Sequence, residues 1–157
     1  MEITADNYDK QLDTEAIQMF ENWMFNGGIT TSRDFSKLER TTRNDILEYL
    51  EEFSLYEELK VNKKRFVLVH GGLSGFDEKK PLDEYSMHDM IWGRCDYTKK
   101  YYPDKYLVTG HTPTNIIDSD YKGKVYIKNN HIAIDCGAVY GNRLGCICLD
   151  TWEEFYV

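Results

Sequence analysis

Two histidines occupy positions at which an imidazole could bind a metal. His70 follows the apolar run Val67-Leu68-Val69 and precedes Gly71-Gly72, while His111 follows Leu107-Val108-Thr109-Gly110. Imidazole is a common ligand for Zn, Fe and Mn. If both apolar runs are strands, two such ligands at neighbouring strand ends could hold one metal together. The glycines after His70 would then leave room for a metal, a bridging water and a substrate phosphate near the backbone.

Each of these histidines also has a simpler interpretation, because a histidine at a strand end is often only a hydrogen-bonded structural residue. The other two histidines are expected to be structural, with His88 at the surface or boundary of a short helix and His131 in a hydrogen-bonded turn. Asp135 is expected to support the loop after it through hydrogen bonds. Cys136 is not expected to be a nucleophile, since nothing nearby in the sequence would activate its thiol.

The elements that precede these residues are predicted to be helical. The first helix stops at Asn26-Gly27-Gly28, and its apolar stripe consists of Leu12, Ala16, Ile17, Phe20, Trp23 and Met24. A polar loop is expected over residues 30–40. The second helix is expected to begin near Thr42, with Asp45 completing an imperfect capping box. Its stripe consists of Ile46, Leu47, Leu50 and Phe53.

The hydrophobic period then changes to one typical of strands. Strands are predicted at Leu55–Val61, Phe66–Val69 and Tyr106–Val108, with a turn at Asn62-Lys63-Lys64 and a short helix near Glu84–Ile91. The last forty residues indicate antiparallel structure, with strands at Val125–Lys128, His131–Asp135, Gly145–Leu149 and Glu153–Val157. The order predicts one mixed α/β (α+β) domain over residues 1–157, with N-terminal helices followed by a mixed sheet that ends in an antiparallel meander.

Composition narrows the class of partner. The chain of 157 residues has 27 acidic and 19 basic side chains and a formal net charge of -8, which argues against nucleic acid as the main partner. It does not argue against phosphate-ester chemistry, because metal ions can supply local positive charge. No apolar run is long enough to span a membrane, and the acidic N-terminal residues are not expected to act as a signal peptide. The four cysteines fit no structural zinc pattern, so we expect reduced thiols in a cytoplasmic protein.

Four segments in this order give the chain a family resemblance. They are Phe66-Val67-Leu68-Val69-His70-Gly71-Gly72-Leu73, Ile91-Trp92-Gly93-Arg94, Leu107-Val108-Thr109-Gly110-His111-Thr112-Pro113 and Ile134-Asp135-Cys136-Gly137-Ala138-Val139-Tyr140-Gly141. The chain resembles the calcineurin-like metallophosphoesterases, and among them the protein serine/threonine phosphatases of bacterial and phage type, from about Trp23 to Leu149. The resemblance implies the C-terminal half of that family's α/β/β/α sandwich.

The resemblance also implies a role for individual residues. His70 and His111 would ligate the second of two divalent metals, Arg94 would grip substrate phosphate, and Tyr140 would border the phosphate pocket. The metals expected are Mn first, with Fe, Zn or Ni also suited to such a site. A hydroxide held between them would attack the phosphorus of a phosphoprotein or another phosphomonoester. Without the resemblance, Arg94 could instead be a surface salt-bridge residue, and Tyr140 could equally be an aromatic packed against its own loop.

The family's first three motifs do not occur here. No Gly-Asp dipeptide exists in the sequence, so G-D-x-H and G-D-x-x-D-R-G are missing, and G-N-H-E is missing as well. We therefore expect a truncated polypeptide, or a natural fragment that regulates or pairs with another chain. Two imidazoles without a bridging carboxylate should bind metal weakly or not at all and support little hydrolysis. We also expect self-association as a homo-oligomer through an exposed sheet edge.

Two other functions remain open from the sequence. The first is a non-catalytic interaction or regulatory module, which mutation of His70 and His111 would leave unaffected. The second is a nucleotide (di)phosphatase of the same superfamily that acts on small substrates. The segments around Trp92-Gly93-Arg94 and Gly137–Tyr140 favour the protein phosphatase branch.

Overall fold

The computed structural model describes residues 14–157, apart from the side chain of Glu15. Leu12, the first residue of the predicted helical stripe, lies outside these residues. Contacts divide the chain into two compact units, one that ends at Phe53 and one that spans Ser54–Val157. The prediction of one domain over residues 1–157 stays a prediction. No helix in the described part of the chain is long and apolar enough to cross a bilayer.

The first unit is helical, with a kink where a stop was predicted. Helix α1 spans Thr14–Trp23, and after an irregular turn at Met24–Gly28 the chain continues as α2 over Ile29–Phe35. Gly27 leaves the helical region with a φ of 101°, which a residue without Cβ adopts at low cost. Gly28 returns to helical angles and is buried against the Trp23 ring. The predicted loop is therefore wrong over residues 30–35, because the two glycines bend the helix without ending it.

The third helix begins earlier than predicted. Helix α3 spans Arg40–Glu51, and its N-cap residue Glu39 makes no side-chain capping bond. Thr42 lies inside this helix, so the predicted capping box does not form. The predicted apolar stripe is present, but Leu50 and Phe53 keep 50% and 62% of their surface exposed. Burial of this stripe therefore contributes little to the stability of the first unit by itself.

The second unit contains a five-stranded mixed sheet. Its strands are β1 (Tyr56–Val61), β2 (Lys64–Val69), β3 (Lys105–Thr109), β4 (Tyr126–Lys128) and β5 (His131–Ala133). They lie in the order β1-β2-β3-β5-β4. The central strands β2, β3 and β5 are parallel, and the two edge strands are antiparallel to their neighbours. The predicted fold class, helices followed by a mixed sheet, is confirmed.

The apolar runs noted in the sequence form the centre of this sheet. Val67 and Leu107 are fully buried on one face, where they pack against Leu73, Tyr85, Met90 and Tyr102. Phe66, Val108 and Ile132 belong to a second cluster on the opposite face. Burial of such a side chain stabilises the fold by roughly 1.5–3 kcal/mol. Coverage on both faces explains why these strands are continuously apolar rather than alternating.

Short helices and a hairpin complete the unit. Helix α4 spans Met87–Ile91 and begins with a capping box between Ser86 and Asp89, and α5 spans Thr114–Ile117. Strands β6 (Gly145–Ile147) and β7 (Glu154–Tyr156) form a separate antiparallel pair. All four predicted C-terminal strands occur in shorter form. The meander is only partly correct, because β5 also pairs in parallel with β3 and the last hairpin leaves the main sheet.

Candidate metal and phosphate site

The two candidate ligands lie at one edge of the sheet because β2 and β3 are parallel neighbours. Val69 and Thr109 are register partners at the carboxyl ends of these strands, so His70 and Gly110-His111 leave the sheet side by side. The Gly110 N–H donates to the His70 carbonyl at 2.8 Å and holds the two loops together. The centroids of the His70 and His111 rings are 5.4 Å apart. The ends of parallel strands are where α/β sheets place their ligand sites.

This ring separation can be compared with that of two imidazoles on one metal. With a metal–nitrogen distance of about 2.1 Å, two imidazoles in tetrahedral positions have centroids roughly 5 Å apart. The observed spacing therefore fits a shared ion. No group of three or more His, Cys, Asp or Glu side chains among residues 14–157 could hold a metal. Within the described residues, the site would thus supply two ligands and no third.

His111 is held in an unusual backbone conformation. Its φ is 59°, in the left-handed region that few non-glycine residues adopt. The Thr112 N–H donates to the Gly110 carbonyl at 2.6 Å, which closes a three-residue γ-turn with His111 at its centre. A side chain in this region costs roughly 1–2 kcal/mol relative to the ordinary helical region. Such strain persists where neighbouring contacts enforce it, and it is common at functional sites.

The surroundings of His111 favour its neutral form. Burial lowers the pKa of His111 below its usual 6.5, and the nearby His70 and Arg94 lower it further, while Asp135 acts in the opposite direction. Only an unprotonated ring nitrogen can ligate a metal. At pH 7 the imidazole is therefore in the form that binding requires.

The glycines after His70 also allow a close backbone contact that the sequence did not predict. A Cβ on Gly71 would lie 2.5 Å from the Ile91 carbonyl oxygen and 2.7 Å from that of Gly93. The Gly71 N–H also donates to the Met90 carbonyl at 2.7 Å. The Cβ side of Gly71 is thus occupied by the backbone after α4, and the expected room near these glycines for metal, water and phosphate stays a prediction. The glycines allow two loops, one bearing His70 and the other Arg94, to touch.

Arg94 lies close to His111, whereas no ring contact links Tyr140 to either histidine among the described residues. Arg94 is exposed, and it lies near enough to His111 to lower the pKa of that imidazole. It forms no ion pair with any residue in the described ranges, which disfavours the salt-bridge alternative. Tyr140 ends the short 3-10 turn Ala138–Tyr140 with 74% of its surface exposed. Its ring stacks on neither histidine among the described residues, and the predicted roles of both side chains stay predictions.

Two aromatic residues at the site carry no role in the sequence-based prediction. Trp92 contacts the His111 ring edge-on, with 5.6 Å between centroids. The Tyr97 hydroxyl forms a buried 2.9 Å hydrogen bond with Oγ1 of Thr109, the residue that ends β3. Trp92 lies within one of the four matching segments, but its contact with His111 leaves no local sequence signal. Tyr97 lies outside all four matching segments.

The remaining expectations for single residues agree with the structure, except that the ring of His131 bonds to a distant loop and not within its own turn. His88 is exposed. His131 is fully buried at the start of β5, and its Nε2 is 2.9 Å from the Lys99 carbonyl oxygen. Asp135 supports its loop by accepting a 3.0 Å bond from the Gly137 N–H. Burial raises the pKa of the Cys136 thiol, which agrees with the expectation that it is not a nucleophile.

An open cavity of about 340 Å³ lies beside His70. Its apolar lining consists of Leu55, Tyr56, Leu68, Val69, Val108 and Ile134. Leu68 and Ile134 are only half-buried, while Trp152, between β6 and β7, contacts the rings of Phe66 and Tyr106 on the same face. The part of this sheet face that carries Leu68 and Ile134 is therefore an apolar surface next to His70.

Comparison with known proteins adds one relative. The chain is 28% identical over 132 residues to the bis(5'-nucleosyl)-tetraphosphatase PrpE [asymmetrical] of Oceanobacillus iheyensis. The match covers 73% of this chain and 48% of the relative, so the chain spans about half the length of that protein. No protein-family model matches the chain. The similarity supports the metallophosphoesterase superfamily.

Proposed function

We propose that the edge of the sheet at His70 and His111 is one half of the metal site of a phosphoester hydrolase. The 5.4 Å spacing of the two rings at neighbouring parallel strand ends is the observation that carries this proposal. Each imidazole would bind the same divalent ion through an unprotonated nitrogen. When bound, divalent ions polarise a phosphoryl group and make water a better nucleophile at neutral pH. Manganese is the ion we propose first.

Arg94 would orient the substrate. Its guanidinium is planar, always charged and able to bind two phosphate oxygens at once. It is exposed and forms no ion pair with the residues that the structure describes, so it is available to a ligand. Tyr140 is exposed on the loop after β5, where an aromatic ring could border a bound phosphate. We propose a phosphoprotein, attacked at phosphoserine or phosphothreonine, as the substrate.

A second candidate substrate is a nucleotide. The relative from Oceanobacillus iheyensis is named for hydrolysis of a dinucleoside tetraphosphate, and its similarity favours this alternative. The same two metal ligands and Arg94 would serve either reaction, because in each a water-derived nucleophile displaces an oxygen leaving group from phosphorus. Parallel assays with a phosphoserine peptide and with diadenosine tetraphosphate distinguish the two in any manganese-loaded preparation that hydrolyses p-nitrophenyl phosphate.

By itself the described site should hydrolyse little. Two imidazoles give weak affinity, and no third side chain of ligand type joins them among residues 14–157. A non-catalytic role for the chain is therefore the alternative if metal does not bind. Self-association also stays a proposal. The apolar surface beside His70 suits it better than edge strand β1, whose Glu57, Glu58 and Lys60 would oppose pairing with another strand.

The test is metal binding by matched histidine variants. We expect Co²⁺ to bind the wild-type protein with an affinity that His70→Asn and His111→Asn each reduce by about tenfold or more, since half of the ligand set is lost. His88→Asn is the matched control, because His88 is exposed on α4 and contacts neither ring. Isothermal titration measures the affinities. Equal affinities in all four proteins would show that His70 and His111 hold no metal.

A further inference from the structure

The strained turn at His111 is anchored on its buried side by one side chain from another loop. The Tyr97 hydroxyl is 2.9 Å from Oγ1 of Thr109, and the pair is buried. Thr109 is 1% exposed and Tyr97 is 7% exposed. Thr109 immediately precedes the three residues Gly110, His111 and Thr112 that make up the turn. A bond at this position therefore fixes the point from which the turn departs.

The Tyr97 ring is itself fixed from two sides. It packs edge-on against Tyr126, with centroids 5.7 Å apart, and against His131, with centroids 5.2 Å apart. The side-chain amide of Asn129 also donates to the Tyr97 carbonyl at 2.9 Å. Both the ring and the backbone of Tyr97 are thus held by the strand pair β4–β5. Its hydroxyl has a defined position from which to hold Thr109.

The opposite side of the turn is held by the backbone. The Ile134 N–H donates to the Thr109 carbonyl, and the Thr114 N–H donates to the Asp135 carbonyl, each at 2.8 Å.

Burial raises the pKa of Tyr97 to about 12, while the hydroxyls of Thr109 and Thr112 lower it. Thr112 Oγ1 makes no bond of good geometry within the described residues, so the Thr109 bond is the defined contact of the phenol.

We propose that Tyr97 is a positioning residue for His111, which it orients through the hydroxyl pair with Thr109. The inference rests on the proposed metal-ligand role of His111 and extends it to a residue that touches neither metal nor substrate. Without the phenol hydroxyl, Thr109 keeps its backbone bonds but loses the side-chain contact that resists rotation of the strand end. The strained turn can then relax, and the His111 ring leaves its place beside Trp92 and His70.

The experiment compares Tyr97→Phe with a matched loss of hydroxyl elsewhere. Tyr97→Phe removes one oxygen and keeps the ring contacts with Tyr126 and His131. Tyr85→Phe is the control, because Tyr85 is also buried and, among residues 14–157, its hydroxyl bonds only to the backbone of Asp77. Thr109→Val removes the partner hydroxyl at nearly equal volume, whereas Thr109→Ser retains it. If Tyr97→Phe does not fold, the comparison of Thr109→Val with Thr109→Ser still tests the proposal.

The first readout needs no metal. Trp92 lies edge-on to His111, so the NMR shift of the His111 ring protons reports the position of that ring. We expect Tyr97→Phe and Thr109→Val to shift these protons, and Thr109→Ser and Tyr85→Phe to leave them near the wild-type position. Unchanged His111 protons in Tyr97→Phe would overturn the proposal, as would an equal shift in Tyr85→Phe.

The second readout is Co²⁺ affinity. We expect Tyr97→Phe and Thr109→Val each to weaken binding about three- to tenfold, less than loss of a partner bonded directly to a ligand, and the double variant to be no worse than either. If His111→Asn does not change the affinity, the metal-ligand role fails whatever Tyr97 does. If His111→Asn weakens binding and Tyr97→Phe does not, only the positioning role fails.

Discussion

Replacement of Gly93 by alanine should separate the loop that carries Arg94 from the loop that carries His70. A Cβ on Gly93 would lie 1.9 Å from the Asp89 carbonyl oxygen and 3.0 Å from its carbonyl carbon. Both atoms belong to the backbone of α4, so no rotamer change relieves the overlap. The chain must shift at the end of the helix, next to the contact between Ile91 and Gly71.

The expected loss of stability follows from the kind of atom that the new Cβ of Gly93→Ala would overlap. Overpacking of a buried site costs typically about 1–3 kcal/mol. A rigid backbone atom at this distance places Gly93→Ala at the upper end, so we expect a loss of about 3 kcal/mol in the free energy of unfolding. Gly75→Ala is the control, because its Cβ would meet nothing within 4 Å and its φ is +61°. Strain alone should cost that variant roughly 1–2 kcal/mol.

Urea unfolding followed by far-ultraviolet circular dichroism measures both variants. The slope with urea should remain that of the wild type, so that a shift in midpoint reports stability. Phosphate binding by the manganese-loaded protein should also weaken in Gly93→Ala, because Arg94 follows the displaced residue directly. A Gly93→Ala variant as stable as Gly75→Ala would refute the close approach of the two loops.

Two further predictions concern pH and thiol reactivity. Burial lowers the folded-state pKa of His131 below 6.5, so the unfolded state binds more protons as pH falls from 7 to 5 and stability should fall. Urea midpoints over this range should depend less on pH in His131→Gln than in the wild type. An equal dependence would contradict a lowered pKa of His131 as the cause. A hydrogen bond from the Thr151 side chain lowers the pKa of Cys148, whereas burial raises that of Cys95 to about 11. Iodoacetamide at pH 7.5 should therefore alkylate Cys148 before Cys95, and peptide mass spectrometry that finds the reverse order would count against this environment.

Local patterns determined the elements that carry the site. The apolar runs before His70 and His111 predicted β2 and β3, because burial on both faces requires apolar side chains at successive positions. The same pattern placed both histidines just beyond the strand ends. Local patterns were less reliable in the first unit, where Gly27-Gly28 indicated a helix end but bends a helix that continues as α2. Local propensity cannot distinguish a bend from a stop when the following residues are acceptable in a helix.

The tertiary structure decided how these elements meet. The 5.4 Å distance between the rings depends on the parallel register of Val69 with Thr109, which joins residues forty positions apart. The roles of Gly71 and Gly93 likewise depend on contact between two loops, and the bond from Tyr97 to Thr109 crosses from one loop to a strand end. Such contacts leave no periodic pattern in the sequence, because the local sequence around each contacting residue is compatible with many different long-range partners. The sequence therefore indicated which residues could do the chemistry, whereas long-range packing determined where each of them points.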